Sequence, residues 1–394
     1  MKQRNLLRIA IGLLMISSCT EISKEERLFT SEIQEIKKEF APDKRVALFD
    51  VLAAQEGDAI VLKGESNLPD AVNALMQRLN AEDVTFTDSI QLLPSSALQG
   101  KTNAVINISV ANLRSNPKHS AELATQATLG TPVKVLKREG DWFYIQTPDK
   151  YLSWVDNGGI TIMDKNRFTE WKKGDKIIYT KTYGHAYDDV TEKNIVSDLV
   201  AGDVLELVKL MDKHFVVAFP DGRIALIRTN EAESYFGWIE AMKPNEDNLV
   251  ATSKKLMGVP YLWGGTSTKG VDCSGFTKTI YFLNGMVIPR DASQQVHTGK
   301  QIDENRSFEN LKKGDLLFFG RKATDSTKEK VVHVGMWIGN NEFIHASNMV
   351  RISSIDRNAE NFDEYNLSRY LRSKRILKEE DKDLINLKQT PVFK

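Results

Sequence analysis

Cys273, His333 and His345 are the residues of this chain best suited to make and break a covalent bond. Phe276, Ile280 and Leu283 fall on one helical face and Gly285 can end the helix, so Cys273, in Asp272-Cys273-Ser274-Gly275, stands at a helix N-terminus. Aligned peptide dipoles and free N–H groups favour negative charge there, which is expected to lower the thiol pKa. The same N–H groups can receive the oxyanion formed when a thiolate attacks a carbonyl. Taken alone, a cysteine is as readily a small buried hydrophobe. Two histidines shift that balance. A cysteine nucleophile needs an imidazole to take its proton and return it to the leaving amine, and that imidazole needs a third group to fix its tautomer. His333, in Val331–Gly339, fits the base, and His345, in Phe343-Ile344-His345-Ala346, fits the orienting group.

The elements that would position them carry a condition. Asn340-Asn341 reads as the turn of a hairpin joining the two histidine runs. With a strict two-residue turn, positions 333 and 345 face opposite sides of the hairpin, so they converge only if a bulge or a longer turn shifts the pairing by one. Zinc, which accepts Cys and His ligands, is the rival use of the three residues. No second cysteine or close His-x-His spacing supports it, so no metal is expected, and no organic cofactor is implied.

Only two cysteines occur in 394 residues, and the first argues for export. Lys2, Arg4 and Arg8 precede the apolar run Ile9–Ile16, followed by Ser17-Ser18-Cys19. The run is shorter than the ~18 residues a spanning helix needs, and residues 1–18 read as a signal peptide. The end of the run resembles the processing site of bacterial lipoproteins, which implies acylation of Cys19; ordinary cleavage near Ser18 is the alternative. The expected location is an exported lipoprotein facing the periplasm or cell surface, held to the membrane by its lipid alone. Cys273 would then be an unpaired thiol in an oxidising compartment. Fifty-three basic residues balance 53 acidic ones, so no overall field steers the chain to nucleic acid. A monomer is expected.

The expected fold class is α+β and multidomain. A lipid-anchored linker, 19–29, leads to a small α+β unit, 30–98, with helical periodicity around Ile33 and Leu75 and strands at Arg45–Val51 and Ala59–Lys63; it shows no site chemistry, and a spacer or docking role is expected. Short alternating runs over 104–160 resemble bacterial SH3-like β-barrels, the pattern lying in Ala111–Pro117, Leu129–Val133, Trp142–Ile145 and Tyr151–Val155. Residues 166–243 read as a degenerate second copy. The chemistry falls in 246–378, expected to be a helix bearing the cysteine packed on an antiparallel sheet, and 379–394 reads as a charged tail.

Six motifs across this last unit resemble, in order, those of the NlpC family of papain-like cell-wall cysteine peptidases. They are Pro260–Gly265, Asp272–Phe276, Ile288–Gln295, Lys313–Phe319, His333-Val334-Gly335 and Phe343–Ala346. The resemblance implies Cys273 as nucleophile, His333 as base, His345 as the third polar residue, and Tyr261 and Ser274 near the oxyanion. His333 follows Cys273 by 333 − 273 = 60 positions, closer than in papain itself. SH3-like units ahead of such a domain resemble enzymes of the dipeptidyl-peptidase VI type. These cut between γ-D-glutamate and a diamino acid in peptidoglycan stem peptides with a free N-terminal L-alanine. The resemblance implies that the first SH3-like unit walls off the site and reads the terminal amine. Such a reader needs a carboxylate to pair with the ammonium. Asp272 is the first candidate, Glu122 the second, and Tyr151 could supply a hydroxyl. Trp263, Arg290 and Asp291 are also expected at the cleft, though Arg290 could equally hold a structural ion pair and Asp272 a helix cap. The family often has Thr or Ser where Asp291 stands. The partners expected are peptidoglycan-derived peptides. Two further readings remain open: a wall-binding lipoprotein whose catalytic unit is inactive, and an acyl or amide transferase, since a thioester yields to an amine as well as to water.

Overall fold

Residues 27–394 are described by a computed structural model, so the expected signal peptide and Cys19 lie outside the described residues. Each large sheet matches one texture of the sequence. At the N-terminus, helices Thr30–Phe40 and Pro69–Ala81 bury Ile33, Ile36, Val72 and Leu75 against a four-stranded sheet. The strand expected to begin at Arg45 begins at Phe49. Residues 43–48 are loop instead, because their polar and carbonyl groups bond outward to other units.

The two repeats have the same topology. Each is a seven-stranded antiparallel sheet, one from Asn103–Ile106 to Ile160–Met163 and the other from Lys176–Tyr179 to Ala232–Ser234. Numbered within its own repeat, each runs seventh, first, fourth, fifth, sixth, second, third. Alternation drives this, since Val133 and Val135, Phe143 and Ile145 point into one core, while Lys134 faces solvent and Leu136 and Tyr144 pack on the other face with Leu93 and Leu152.

The last unit is built on helix α1 (Cys273–Phe282) and the short helix α2 (Ala292–Gln295). Its antiparallel sheet comprises β1 (Lys300–Asp303), β2 (Leu316–Arg321), β3 (Lys330–Gly339), β4 (Glu342–Ser347), β5 (Met349–Ser354) and β6 (Tyr370–Arg375). Spatial order is β1-β6-β2-β3-β4-β5. Phe276 and Ile280 of α1 pack on Phe318, Val334, Met336 and Ile344, all fully buried. The fold is thus α+β, with the cysteine helix on an antiparallel sheet. The segment read as a charged tail does not trail into solvent: Ile385–Asn386 pairs with Met286–Val287, and Leu387 and Phe393 are buried beside Trp238. Its apolar residues outweigh its charges in deciding where it lies. Among the described residues, no helix is long and apolar enough to cross a membrane.

Candidate active site

Asp272 fixes the start of α1. Its Oδ1 accepts from Gly275 N–H at 2.7 Å, the bond of a helix N-cap, and places Cys273 as the first helical residue. The paired register of β3 with β4 runs from the turn only as far as Met336–Ile344. Beyond that point Cys273 packs against β3, in the same buried cluster as Val334, the neighbour of His333. Among the described residues Sγ makes no hydrogen bond with the His333 ring. The expected low thiol pKa is not what this environment gives. Burial is the largest cause pushing the thiol up to about 11, and the adjacent Asp272 carboxylate adds to it. The N–H groups of Val334 and Ser274 and the Arg290 charge pull the other way without prevailing.

The histidines meet the condition set by the hairpin. Asn340 and Asn341 both adopt left-handed conformations, with φ 55° and 61°, as the tight turn requires. Pairing then slips between Trp337 and Gly339, so one residue is bulged and every position beyond it changes partner. His333 and His345 therefore lie on one face, with His333 Nε2 and His345 Nδ1 2.8 Å apart. Gly335 makes this contact possible: a Cβ there would stand 2.9 Å from the Phe343 ring and 3.2 Å from His345 Cβ. His345 Nε2 lies 3.0 Å from Ser353 Oγ on β5. Burial holds both imidazoles well below their ordinary pKa, and for His333 the neighbouring His345 adds to the effect. At rest the site therefore holds a neutral thiol and neutral rings. Among the described residues no group of three or more His, Cys, Asp or Glu is placed to hold a metal.

Above the sulfur lies a cavity of about 940 Å³ lined by Tyr261, Trp263, Asp272, Cys273, Ser274, Arg290, Asp291, Glu122 and Tyr151. Asp272 and Arg290 are committed before any ligand arrives. The two Asp272 oxygens accept from Gly264 N, Gly275 N, Ser274 Oγ and both Arg290 Nη atoms. Arg290 is 1% exposed and also donates from Nε to Thr125 of the first repeat. Both are an ion pair and cap within the wall. Glu122 and Asp50 are exposed carboxylates of the cavity, and Glu122 Oε1 accepts from Trp263 Nε1 at 2.7 Å. Tyr151 donates to Asp291 Oδ2 at 3.2 Å. The Tyr261 phenol is held protonated, first by burial and then by Cys273 and Asp272, so it stays a donor beside the sulfur.

Residues 258–368, which include the cysteine and both histidines, match the NlpC/P60 family, and 109–161 match the bacterial SH3 domain. The gamma-D-glutamyl-L-lysine dipeptidyl-peptidase of Bacillus cereus is 34% identical over 233 residues, covering 57% of this chain and 67% of that protein. The chain belongs to the NlpC/P60 family of cysteine peptidases. Dipeptidyl-peptidase 6 of Lysinibacillus sphaericus is 27% identical over 270 residues, 64% of this chain and 92% of that protein. The crystal structure of an NlpC/P60 family protein from Bacillus cereus covers 70% of this chain and 100% of its own, with 28% identity and a TM-score of 0.61.

One wall of this NlpC/P60 cleft comes from a unit in which the sequence showed no site chemistry. Lys37, Lys44 and Arg45 of the N-terminal unit line the cavity. Arg45 Nη1 donates to Asp291 at 2.8 Å and to Ser293 at 2.9 Å, while Gln294 reaches back to Asp43 at 2.8 Å. The Arg45 and Val46 carbonyls are taken by Leu152 and Gln146 of the first repeat. The run Asp43-Lys44-Arg45 carries no site motif, and only tertiary placement reveals its use.

Proposed function

We propose that the chain hydrolyses short peptidoglycan stem peptides between γ-D-glutamate and a diamino acid, reading a free N-terminal L-alanine. The carrying observation is the three-sided cavity over Cys273, with the Glu122 carboxylate on its SH3 wall. Such an enclosure suits a few residues better than a cross-linked polymer. The names of the relatives support the same bond. The substrate ammonium pairs with Glu122, and the γ-carbonyl lies over the sulfur. As Cys273 attacks, its proton passes to His333, and the sulfur–carbon bond forms. The oxyanion is received by the N–H groups at the start of α1 and by the Tyr261 hydroxyl. His333 then gives the proton to the leaving α-amine, the C–N bond breaks, and L-Ala-γ-D-Glu remains as a thioester. Water, deprotonated by the same ring, releases it.

Mass spectrometry after incubation with L-Ala-γ-D-Glu-L-Lys and its N-acetylated form tests this reading. The free amine should be cleaved and the acetylated peptide should not, and Glu122→Gln should lower kcat/KM by roughly tenfold or more, mainly through KM. Equal cleavage of both peptides contradicts amine reading. Cleavage of neither favours a wall-binding role, and amide exchange with an added amine favours transfer.

Export and acylation at Cys19 belong to the same reading, supported by the basic start, the apolar run and the small residues before Cys19. Cys19→Ser should move the protein from the membrane fraction to the soluble fraction; unchanged membrane recovery would contradict the anchor.

A further inference from the structure

We propose that Asp363, together with Ser353, is a positioning residue that sets the tautomers of both imidazoles. The proposal rests on the reading of Cys273 and His333 as nucleophile and base. Asp363 caps helix α3 (Glu364–Ser368) and lies beside the buried end of β5, where its backbone N–H bonds to Ser354 O. Its carboxylate accepts from Asn366 N at 2.9 Å and Asn366 Nδ2 at 2.7 Å. His345 Nε2 stands 3.9 Å from Asp363 Oδ2 and 3.0 Å from Ser353 Oγ.

Proton counting along this line leaves one arrangement. The Asp363 carboxylate only accepts, and at 3.9 Å from His345 Nε2 it favours a proton over a lone pair on that nitrogen. With that proton on Nε2, His345 donates to the Ser353 oxygen across 3.0 Å. His345 Nδ1 is left with a lone pair and accepts from His333 Nε2–H across 2.8 Å. That leaves His333 Nδ1 unprotonated, the state a base needs toward a thiol. One buried charge, separated from His333 by the His345 ring, thus sets the proton on each of the two rings. Burial tends to raise the Asp363 pKa, but the Asn366 backbone and side-chain donors outweigh it and keep the group ionised. The sequence gives no hint of this, because Ser353 and Asp363 reach His345 only through the pleat of β5 and the turn that follows it.

The test uses the full chain labelled with ¹⁵N-histidine, with Ser353→Ala and Asp363→Asn as variants. Ring ¹⁵N shifts report which nitrogen carries the proton. Wild type should show both rings as Nε2–H, and each variant should move part of the His345 population to Nδ1–H. Turnover should fall on the order of 10–100-fold in kcat with KM little changed. Asn caps a helix about as well as Asp, so Asp363→Asn should keep the fold, and Ser353→Ala carries the test if it does not. Wild type with His345 protonated on Nδ1, or unchanged spectra and kcat in Ser353→Ala, overturns the proposal. A wild type showing both Nε2–H tautomers but cleaving nothing would sink the peptidase reading and leave this one standing.

Discussion

Cys273→Ala should lower turnover by roughly 10⁴-fold or more, while thermal stability stays within about 1 kcal/mol of wild type. Without the sulfur no thioester can form, and the residual rate would come from substrate binding and oxyanion donors alone. The fold should tolerate the change because the helix is capped by Asp272 and held by Phe276 and Ile280, none of which depends on the thiol. The raised thiol pKa adds a second readout. With the thiol pushed up to about 11, alkylation of free enzyme by iodoacetamide should be slow at neutral pH and climb through the alkaline range. A rate already at its plateau at pH 6 would show a preformed thiolate–imidazolium pair and contradict the neutral resting state.

The largest effect on stability should come from Arg290→Met. The guanidinium is 1% exposed and forks onto both Asp272 oxygens, with Nη2–Oδ2 at 2.6 Å. Removing it leaves a buried carboxylate without its counter-charge, which costs about 3–5 kcal/mol. The Thr125 bond between the first repeat and the catalytic unit is lost as well. Chemical denaturation should show a lower midpoint, and activity should fall together with the folded fraction. A variant as stable as wild type but unable to bind peptide would instead make Arg290 a substrate ligand.

The residues proposed for catalysis could be picked out because the patterns that suggest them are local. A cysteine after a capping aspartate, and two histidines bracketing Asn340-Asn341, are patterns within short windows, and parity counting required either a bulge or a three-residue turn, of which the fold uses the bulge, between Trp337 and Gly339. The repeats were legible for the same reason, each strand bringing its own alternation. What stayed hidden depends on long-range placement. The thiol pKa follows from burial, which a helix-start argument omits. Arg45 belongs to the cleft only because the N-terminal unit docks on the first repeat, and Asp363 joins the histidines only through the sheet. The choice between Asp272 and Glu122 turned on the same point, since the fold spends Asp272 on the cap and on Arg290.

Rapid quenching of wild-type enzyme with L-Ala-γ-D-Glu-L-Lys, followed by intact-mass and peptide mapping, addresses the central claim most directly. The account predicts a transient adduct of L-Ala-γ-D-Glu on the peptide containing Cys273, with lysine already released. An adduct that retains lysine, one mapped to another residue, or full turnover by Cys273→Ala would contradict it.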